Sequence, residues 1–358
     1  MNLTVNSQLL AAELRLLTKV APSKPTIAIL GHVRLKAEVG ALALQATDLE
    51  VGLSTRCPAE VHVPGVIALP VAKVLALVEQ FPDADVSLAL DQTSQVTVRC
   101  GAFASRLRAL PAEDFPTLPE VEGTSCVLNA EGLQRLIART RHAGTVEDTR
   151  YFLHGALLTL AGPTATMVAT DSHRLALATG PRPDGEDARV IIPARALDLL
   201  ARQTETGDLT FTVGTRHLFF QAGERLLTSR TIDGEFPKYE KVIPRNNDKV
   251  VSVGRDALAA ALHRMDVLSD RNRAVSFDFT PRSLHLSSSS VEVGSADEDL
   301  AISYDGPPLK VAVDGGYVLD FLAVASESTI TLTLKDPTSA MLLTSGSDHT
   351  EVIMLMRM

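Results

Sequence analysis

The stretch MVATDSHRLALATG, Met167 to Gly180, sets an aspartate, a serine, a histidine and an arginine side by side between two apolar runs. Asp171, Ser172 and His173 supply the group types of a serine hydrolase, namely an acid, a nucleophile and a base. Such triads are assembled in space from residues distant in sequence, so adjacency argues for little. No GxSxG elbow and no separate orienting acid accompanies them. The simpler alternative is a polar turn, because Asp and Ser favour turns through bonds to their own backbone. The three cysteines, Cys57, Cys100 and Cys126, form no CxxC pair or metal spacing, which argues against a disulfide framework and a zinc site. A GxxxxGK[ST] phosphate loop is absent as well. The expectation is no metal and no cofactor.

The elements around this stretch recur. NSQLLAAELRLLTKVA (Asn6 to Ala21), NAEGLQRLIARTRHAG (Asn129 to Gly144) and GRDALAAALHRMDVLS (Gly254 to Ser269) each place apolar residues at helical spacing after a short strand-like run. Two of them open on an asparagine suited to cap a helix. A second helical pattern appears at Leu69 to Pro82, Ile192 to Glu205 and Val313 to Ser326, and its central Leu75, Leu197 and Leu319 fall at equal intervals. After each comes a pair of alternating runs around a polar turn, which reads as a β-hairpin. TATMVATDSHRLALAT occupies the same place in its repeat as ALALQATDLEVGLST does in the first. Phe115-Pro116 and Phe236-Pro237 head Pro-rich connectors that end the first two repeats. The period, about 120 residues, suits a domain rather than a solenoid unit. The spacing predicts domains at 1–122, 123–246 and 247–358, each with two helices and roughly eight strands. Equivalent surfaces at regular intervals invite closure into a ring, with a free sheet edge of the first domain meeting one of the third in another copy.

With 45% hydrophobic and 22% charged residues the chain is globular. Its formal charge of −9 disfavours nucleic acid only if charge is spread evenly, and a basic strip can sit on an acidic body. Aromatics are 4% with no tryptophan, too few for single-strand binding by base stacking. The first residues show no signal-peptide pattern and no apolar run reaches membrane-spanning length, so a reduced, soluble, cytoplasmic protein is expected.

A triplicated helix and strand domain carrying ATDSHRLA, IDGEFPKYEKVIP and a terminal VIMLMRM, with TDLEVG (Thr47 to Gly52) and RYFLHG (Arg150 to Gly155), resembles the bacterial DNA polymerase III β subunits, the sliding clamps, over essentially its whole length. The resemblance implies an α+β DNA clamp fold: three tandem repeats of two helices packed on antiparallel sheets, closed as a head-to-tail dimeric ring around double-stranded DNA. It implies a processivity factor that catalyses nothing and tethers the replicative polymerase, clamp loader, repair polymerases and ligase through short peptides, without a membrane role. Among the first helices, Arg15, Lys19, Arg135, Arg139 and Arg141 carry charge on the non-apolar face, where phosphates met across water give weak, salt-sensitive, sequence-blind attraction. A solvated helix face is the plainer account of the same charges. Lys24, Arg150 and Tyr151 match duplex contacts of the family. Glu147 stands where the family can have Gln and Asn272 where an aromatic can sit, so DNA contact at those two is not expected.

The resemblance also implies a peptide groove. One wall carries over to Leu153, Thr170, Ser172, His173, Arg174 and Leu175. Pro237, Lys241 and Val242 come from the connector, and Val352, Ile353, Met354, Met356 and Arg357 from the C-terminal strand. Leu and Met form an adaptable pocket for a Leu or Phe anchor. Ser172 stands where Gly is common, Lys241 where Arg is, Leu355 where Pro is and Met358 where a terminal Leu is. The dimer contact carries over to Ser105 and Leu107 against Val267 and Leu268, with Lys73 opposite acids of Glu292 to Asp299. Two other classes stay open on the residues alone: a hydrolase centred on Asp171 to Arg174, and a repeat scaffold that binds proteins without DNA.

Overall fold

A computed structural model describes the whole chain except residues 146, 148, 183–184, 203–205, 270–272, 291 and 358. Three successive runs share one order of elements. The first is β1 (Asn2–Asn6), α1 (Ser7–Val20), β2 (His32–Glu38), β3 (Ala41–Thr47), β4 (Val51–Val63), β5 (Gly65–Pro70), α2 (Val71–Val78), β6 (Asp85–Leu90), β7 (Gln95–Cys100) and β8 (Phe103–Arg108). The second is β9 (Thr124–Asn129), α3 (Ala130–Thr140), β10 (Gly155–Ala161), β11 (Thr164–Thr170), β12 (Arg174–Pro181), β13 (Ala188–Pro193), α4 (Ala194–Leu200), β14 (Asp208–Val213), β15 (His217–Ala222) and β16 (Arg225–Arg230). The third is β17 (Lys249–Gly254), α5 (Arg255–Val267), β18 (Ala274–Thr280), β19 (Ser283–Ser290), β20 (Gly294–Ala301), β21 (Leu309–Asp314), α6 (Gly315–Val324), β22 (Thr329–Leu334), β23 (Met341–Ser345) and β24 (His349–Ile353).

Local chemistry accounts for the helix starts. The Asn6 side chain accepts from the amides of Gln8 and Leu9, and Asn129 accepts from Gly132, so both asparagines satisfy orphan donors of the first turn. Gly254 begins α5 without a side-chain cap, whereas Asp314 caps α6 through the Gly316 amide. The α3 pattern stops sooner than its sequence period suggests: the α-helix ends at Thr140 and tightens into a 3-10 turn at Arg141–Ala143.

The chain forms two compact units, residues 1–128 with 202–231 and residues 129–201 with 232–358. In the first, twelve strands make one sheet running from β8 through β7, β6, β1, β4, β16, β15 and β14 to β9, with β2, β3 and β5 off that path. Here β4 pairs antiparallel with β16 (Val51 opposite Ser229), and α1 packs on α2. A part-buried ion pair joins α1 to β16: Arg225 donates to both carboxylate oxygens of Glu13 at 3.0 and 2.6 Å, and the Thr55 hydroxyl donates at 2.7 Å. In the second unit an eight-stranded sheet has the order β13-β10-β11-β12-β24-β23-β22-β17, and a four-stranded sheet the order β20-β19-β18-β21. Its largest core gathers Phe277, Phe279, Phe321, Leu332 and Ile353 around α5 and α6. No helix among the described residues is long and apolar enough to cross a membrane.

Candidate functional site

The stretch with the adjacent polar residues is the turn between β11 and β12. The Thr170 hydroxyl donates to the Arg174 carbonyl at 2.6 Å and accepts from the Ser172 amide at 3.1 Å. Asp171 accepts from the amides of His173 and Arg174, both at 2.9 Å. Ser172 sits at φ +80°, a left-handed conformation that favours glycine, the residue common at this place in the resembled family. The first repeat builds the same turn from Thr47 to Val51. Thr47 donates to the Val51 carbonyl, Asp48 accepts from the amides of Glu50 and Val51, and Leu49 has φ +79°. The Thr-Asp pair thus has a conformational task in both places. Nor is a hydrolase relay assembled, since Asp171 spends its carboxylate on the turn and the Ser172 hydroxyl receives a bond from Arg150.

Beside this turn lies a cavity of about 230 Å³. Leu153, Thr170, Leu175 and Val352 form its floor with Tyr239, and Ser172, His173, Arg174, Pro237, Val242 and Met354 complete it together with Arg150. The floor continues into a buried apolar cluster of Leu157, Val168, Ile191 and Phe236. Strand periodicity divides the C-terminal residues: Val352 faces the cavity, whereas its neighbour Ile353 is fully buried in the core on the other side. Met354 is held at the rim because its amide donates to the His173 carbonyl at 2.9 Å. Met356 pairs with Ala312 through its amide, Leu355 packs on the larger core, and Arg357 is exposed; none of these is part of the lining. Lys241 is exposed and likewise outside it, because the 3-10 turn Tyr239–Lys241 puts residues three apart on one side and so brings Tyr239 and Val242 inward. Tyr239 and Arg150 are lining residues that sequence reasoning did not assign to the groove. Tyr239 carried a signal in its three-residue spacing from Val242. Met358 and Asn272 lie outside the described residues.

Below the cavity, α3, β12, β24 and α6 enclose a polar layer. Arg174 is 9% exposed, and its guanidinium donates to Asp171 at 3.1 Å, to Asp320 at 2.6 Å and to the His142 carbonyl. Its guanidinium carbon lies 4.3 Å from the centre of the Tyr317 ring. Burial opposes its charge, but the bond to Asp320 and the nearby Glu351 and Asp171 carboxylates hold its pKa above the usual value. Glu351 is fully buried with His142 2.8 Å away, and burial raises its carboxyl pKa. His349 stacks on Phe321 with ring centres 4.6 Å apart, and burial pushes its imidazole down to about 4.

The residues expected to face phosphates differ in exposure. Lys19, Lys24, Arg135 and Tyr151 are exposed. Arg15 pairs with Glu79 at 2.7 Å and Arg141 with Asp198. Arg139 has a side chain only 11% exposed and is turned inward, to Asp348 at 2.7 Å and Ser326 at 3.1 Å. Glu147 is exposed. Two sheet edges also stand out. On β8, Ser105 and Leu107 share one face with Phe103, which is exposed although its ring meets Phe81 at 5.4 Å, and Arg106 and Arg108 project from the other. On β20, Asp297 and Asp299 are exposed, Asp299 with His285 Nδ1 2.9 Å from its carboxylate, while Glu298 is taken by Arg264. Val267 closes α5 with 77% exposure, Leu268 is half-buried, and Lys73 is exposed on α2.

Comparison with known proteins gives matches along the whole chain. Family models described as the N-terminal, central and C-terminal domains of the DNA polymerase III beta subunit match residues 1–119, 127–238 and 240–358. A beta sliding clamp from Pseudomonas putida is 34% identical over 371 residues, covering all of both chains. The crystal structure of a DNA polymerase III subunit beta from Pseudomonas aeruginosa superposes with a TM-score of 0.95 at 33% identity over all of both chains. A sliding clamp of the same organism, bound to griselimycin, gives 0.95 at 32% identity, again covering both chains in full.

Proposed function

Because the chain belongs to the DNA polymerase III beta subunit family, the beta sliding clamps, we propose that it is a non-catalytic processivity factor of the cytoplasm. Two copies close head to tail around duplex DNA, and the cavity beside the Thr170–Arg174 turn captures short peptides of the replicative polymerase, the clamp loader and repair enzymes. We draw its three clamp domains at 1–122, 123–246 and 247–358. The observation that carries the reading is the triplication itself, two helices and eight strands written three times among the described residues. A repeated unit with unpaired edges at β8 and β20 has a route to closure with a second copy, and a closed ring holds its track by topology instead of affinity.

The chemistry of the parts supports each role. Arg106 and Arg108 on one edge complement Asp297 and Asp299 on the other, with Phe103, Leu107 and Val267 as apolar partners. Exposed Lys19, Lys24 and Arg135 supply diffuse, sequence-independent attraction to phosphates. The cavity, apolar below and polar at its rim, suits an extended peptide with a Leu or Phe anchor. The deciding experiment measures solution mass together with retention on nicked circular DNA. A dimer that stays on the circle after loading and is lost on linearisation is expected; a stable monomer, or equal retention on linear DNA, refutes encirclement.

A further inference from the structure

The connectors that close the first two repeats share one register. Phe115-Pro116-Thr117-Leu118 lies along Phe236-Pro237-Lys238-Tyr239, and Val121, 49% exposed, falls where Val242, 48% exposed, does. Phe115 is buried with Leu30 and Ala68, as Phe236 is with Leu153 and Ile191. Counted from the matched turns, Gly52 stands where Leu175 does. Gly52 pairs across its sheet with Thr228, and Leu175 across its own with Val352. The two places differ in what lies over the strand. Leu175, Val352 and Tyr239 line the cavity. Over Gly52, in the first compact unit, the connector's own Leu118 comes down, and a Cβ added to Gly52 would meet its Cδ2 at 2.6 Å. Gly52 has no positive φ, so the backbone of β4 does not require a glycine there. The close approach of Leu118 is what excludes a side chain.

Resting on the peptide-groove reading, we propose that the first repeat holds a second groove of the same kind, kept shut by Leu118, whose side chain takes the place of a peptide's apolar anchor over Gly52. Each subunit then presents one open groove although the frame of turn and connector is written twice. The latent groove takes the same class of ligand, an extended peptide with a Leu anchor. Leu118 is the removable part: it is only half-buried, and Phe115 fixes the connector independently of it.

The test uses the full-length chain and a synthetic peptide with a Leu-Phe anchor, with stoichiometry read by isothermal titration and location by amide exchange in β4 and β24. The wild-type chain should bind one peptide per subunit and gain protection in β24 alone. Leu118→Ala truncates the plug and Leu118→Asn draws it into water; each should admit a second peptide per subunit, with new protection in β4. That second site should be roughly ten- to a hundredfold weaker than the first, because Gly52 and Thr228 offer less apolar surface than Leu175 and Val352. Leu118→Met, which refills the space, should keep the stoichiometry at one. One peptide per subunit in both emptied variants, with unchanged circular dichroism, overturns the inference and leaves the groove beside the Thr170–Arg174 turn in place. Loss of fold in both overturns it as well, since Leu118 would then be core and not a plug. Failure of the wild-type chain to bind the peptide overturns the groove reading and the inference with it.

Discussion

His349 offers a quantitative test of the packing beneath the cavity. Its ring is fully buried against Phe321, one nitrogen lies 3.1 Å from the Arg139 carbonyl, and the other is buried with no hydrogen-bond partner among the described residues. Charging it would place a cation on a ring removed from water, with Arg139 and His142 adding repulsion, which is why its pKa falls from 6.5 to about 4. The folded pKa lies below the unfolded value, so the unfolded chain takes up the proton first as pH falls. The stability this residue contributes is complete above about pH 6.5 and is lost progressively towards pH 4. Integrating between those two pKa values gives a loss of about 2 kcal/mol between pH 7 and 5, and about 3 kcal/mol by pH 4. The perturbation is His349→Gln, whose amide can still donate to the Arg139 carbonyl but does not titrate. Urea unfolding of both proteins should be followed across pH by circular dichroism and by amide exchange in β24, because groups common to both cancel in the difference. The wild-type chain should lose stability relative to the variant by these amounts. Parallel profiles from pH 7 to 4 would refute the claim that burial keeps this imidazole neutral.

Three other outcomes follow from the same geometry. Arg225→Met leaves the Glu13 carboxylate, 9% exposed, without its bidentate partner and should cost about 3 kcal/mol in urea unfolding, most of it recovered by adding Glu13→Leu; a single-variant loss below about 1 kcal/mol would show that the pair is not needed. Val242→Asp, a half-exposed residue of the cavity wall, should weaken an apolar-anchored peptide by about tenfold or more without altering solution mass, and undiminished binding would remove the cavity from the account. Reversing Arg106 and Arg108 to Glu should raise the dimer dissociation constant by about tenfold at low salt, with partial rescue by Asp297→Lys and Asp299→Lys in the other edge; an unchanged constant in ultracentrifugation would mean these edges do not meet.

Much of the architecture was readable along the chain because it depends on local periodicity. Apolar residues at helical spacing located α1, α3 and α5, asparagine caps marked two of their starts, and alternating runs marked the hairpins. The recurrence of Thr47-Asp48 and Thr170-Asp171 was visible too, although only the bonds explain it: the pair folds a turn, and what differs between the repeats lies in the residues after it. The groove was less legible. Leu153, Leu175, Pro237 and Val352 were expected and do line the cavity, whereas Ile353, Met356, Arg357 and Lys241 lie outside its lining: Ile353 alternates to the other face of β24, Met356 bridges to Ala312 and the 3-10 turn leaves Lys241 exposed.

Residue order alone determined the triplication, the helix and strand pattern and the turn at Asp171, since each depends on neighbours within a few positions. Which polar groups would be spent inside the fold was decided only by tertiary contact. His142 meets Glu351 across 209 positions, Arg225 meets Glu13 across 212 and Arg174 meets Asp320 across 146. No local pattern encodes such partners. His142 and Arg225 are drawn inward by Glu351 and Glu13, carboxylates whose burial makes an unpaired charge costly.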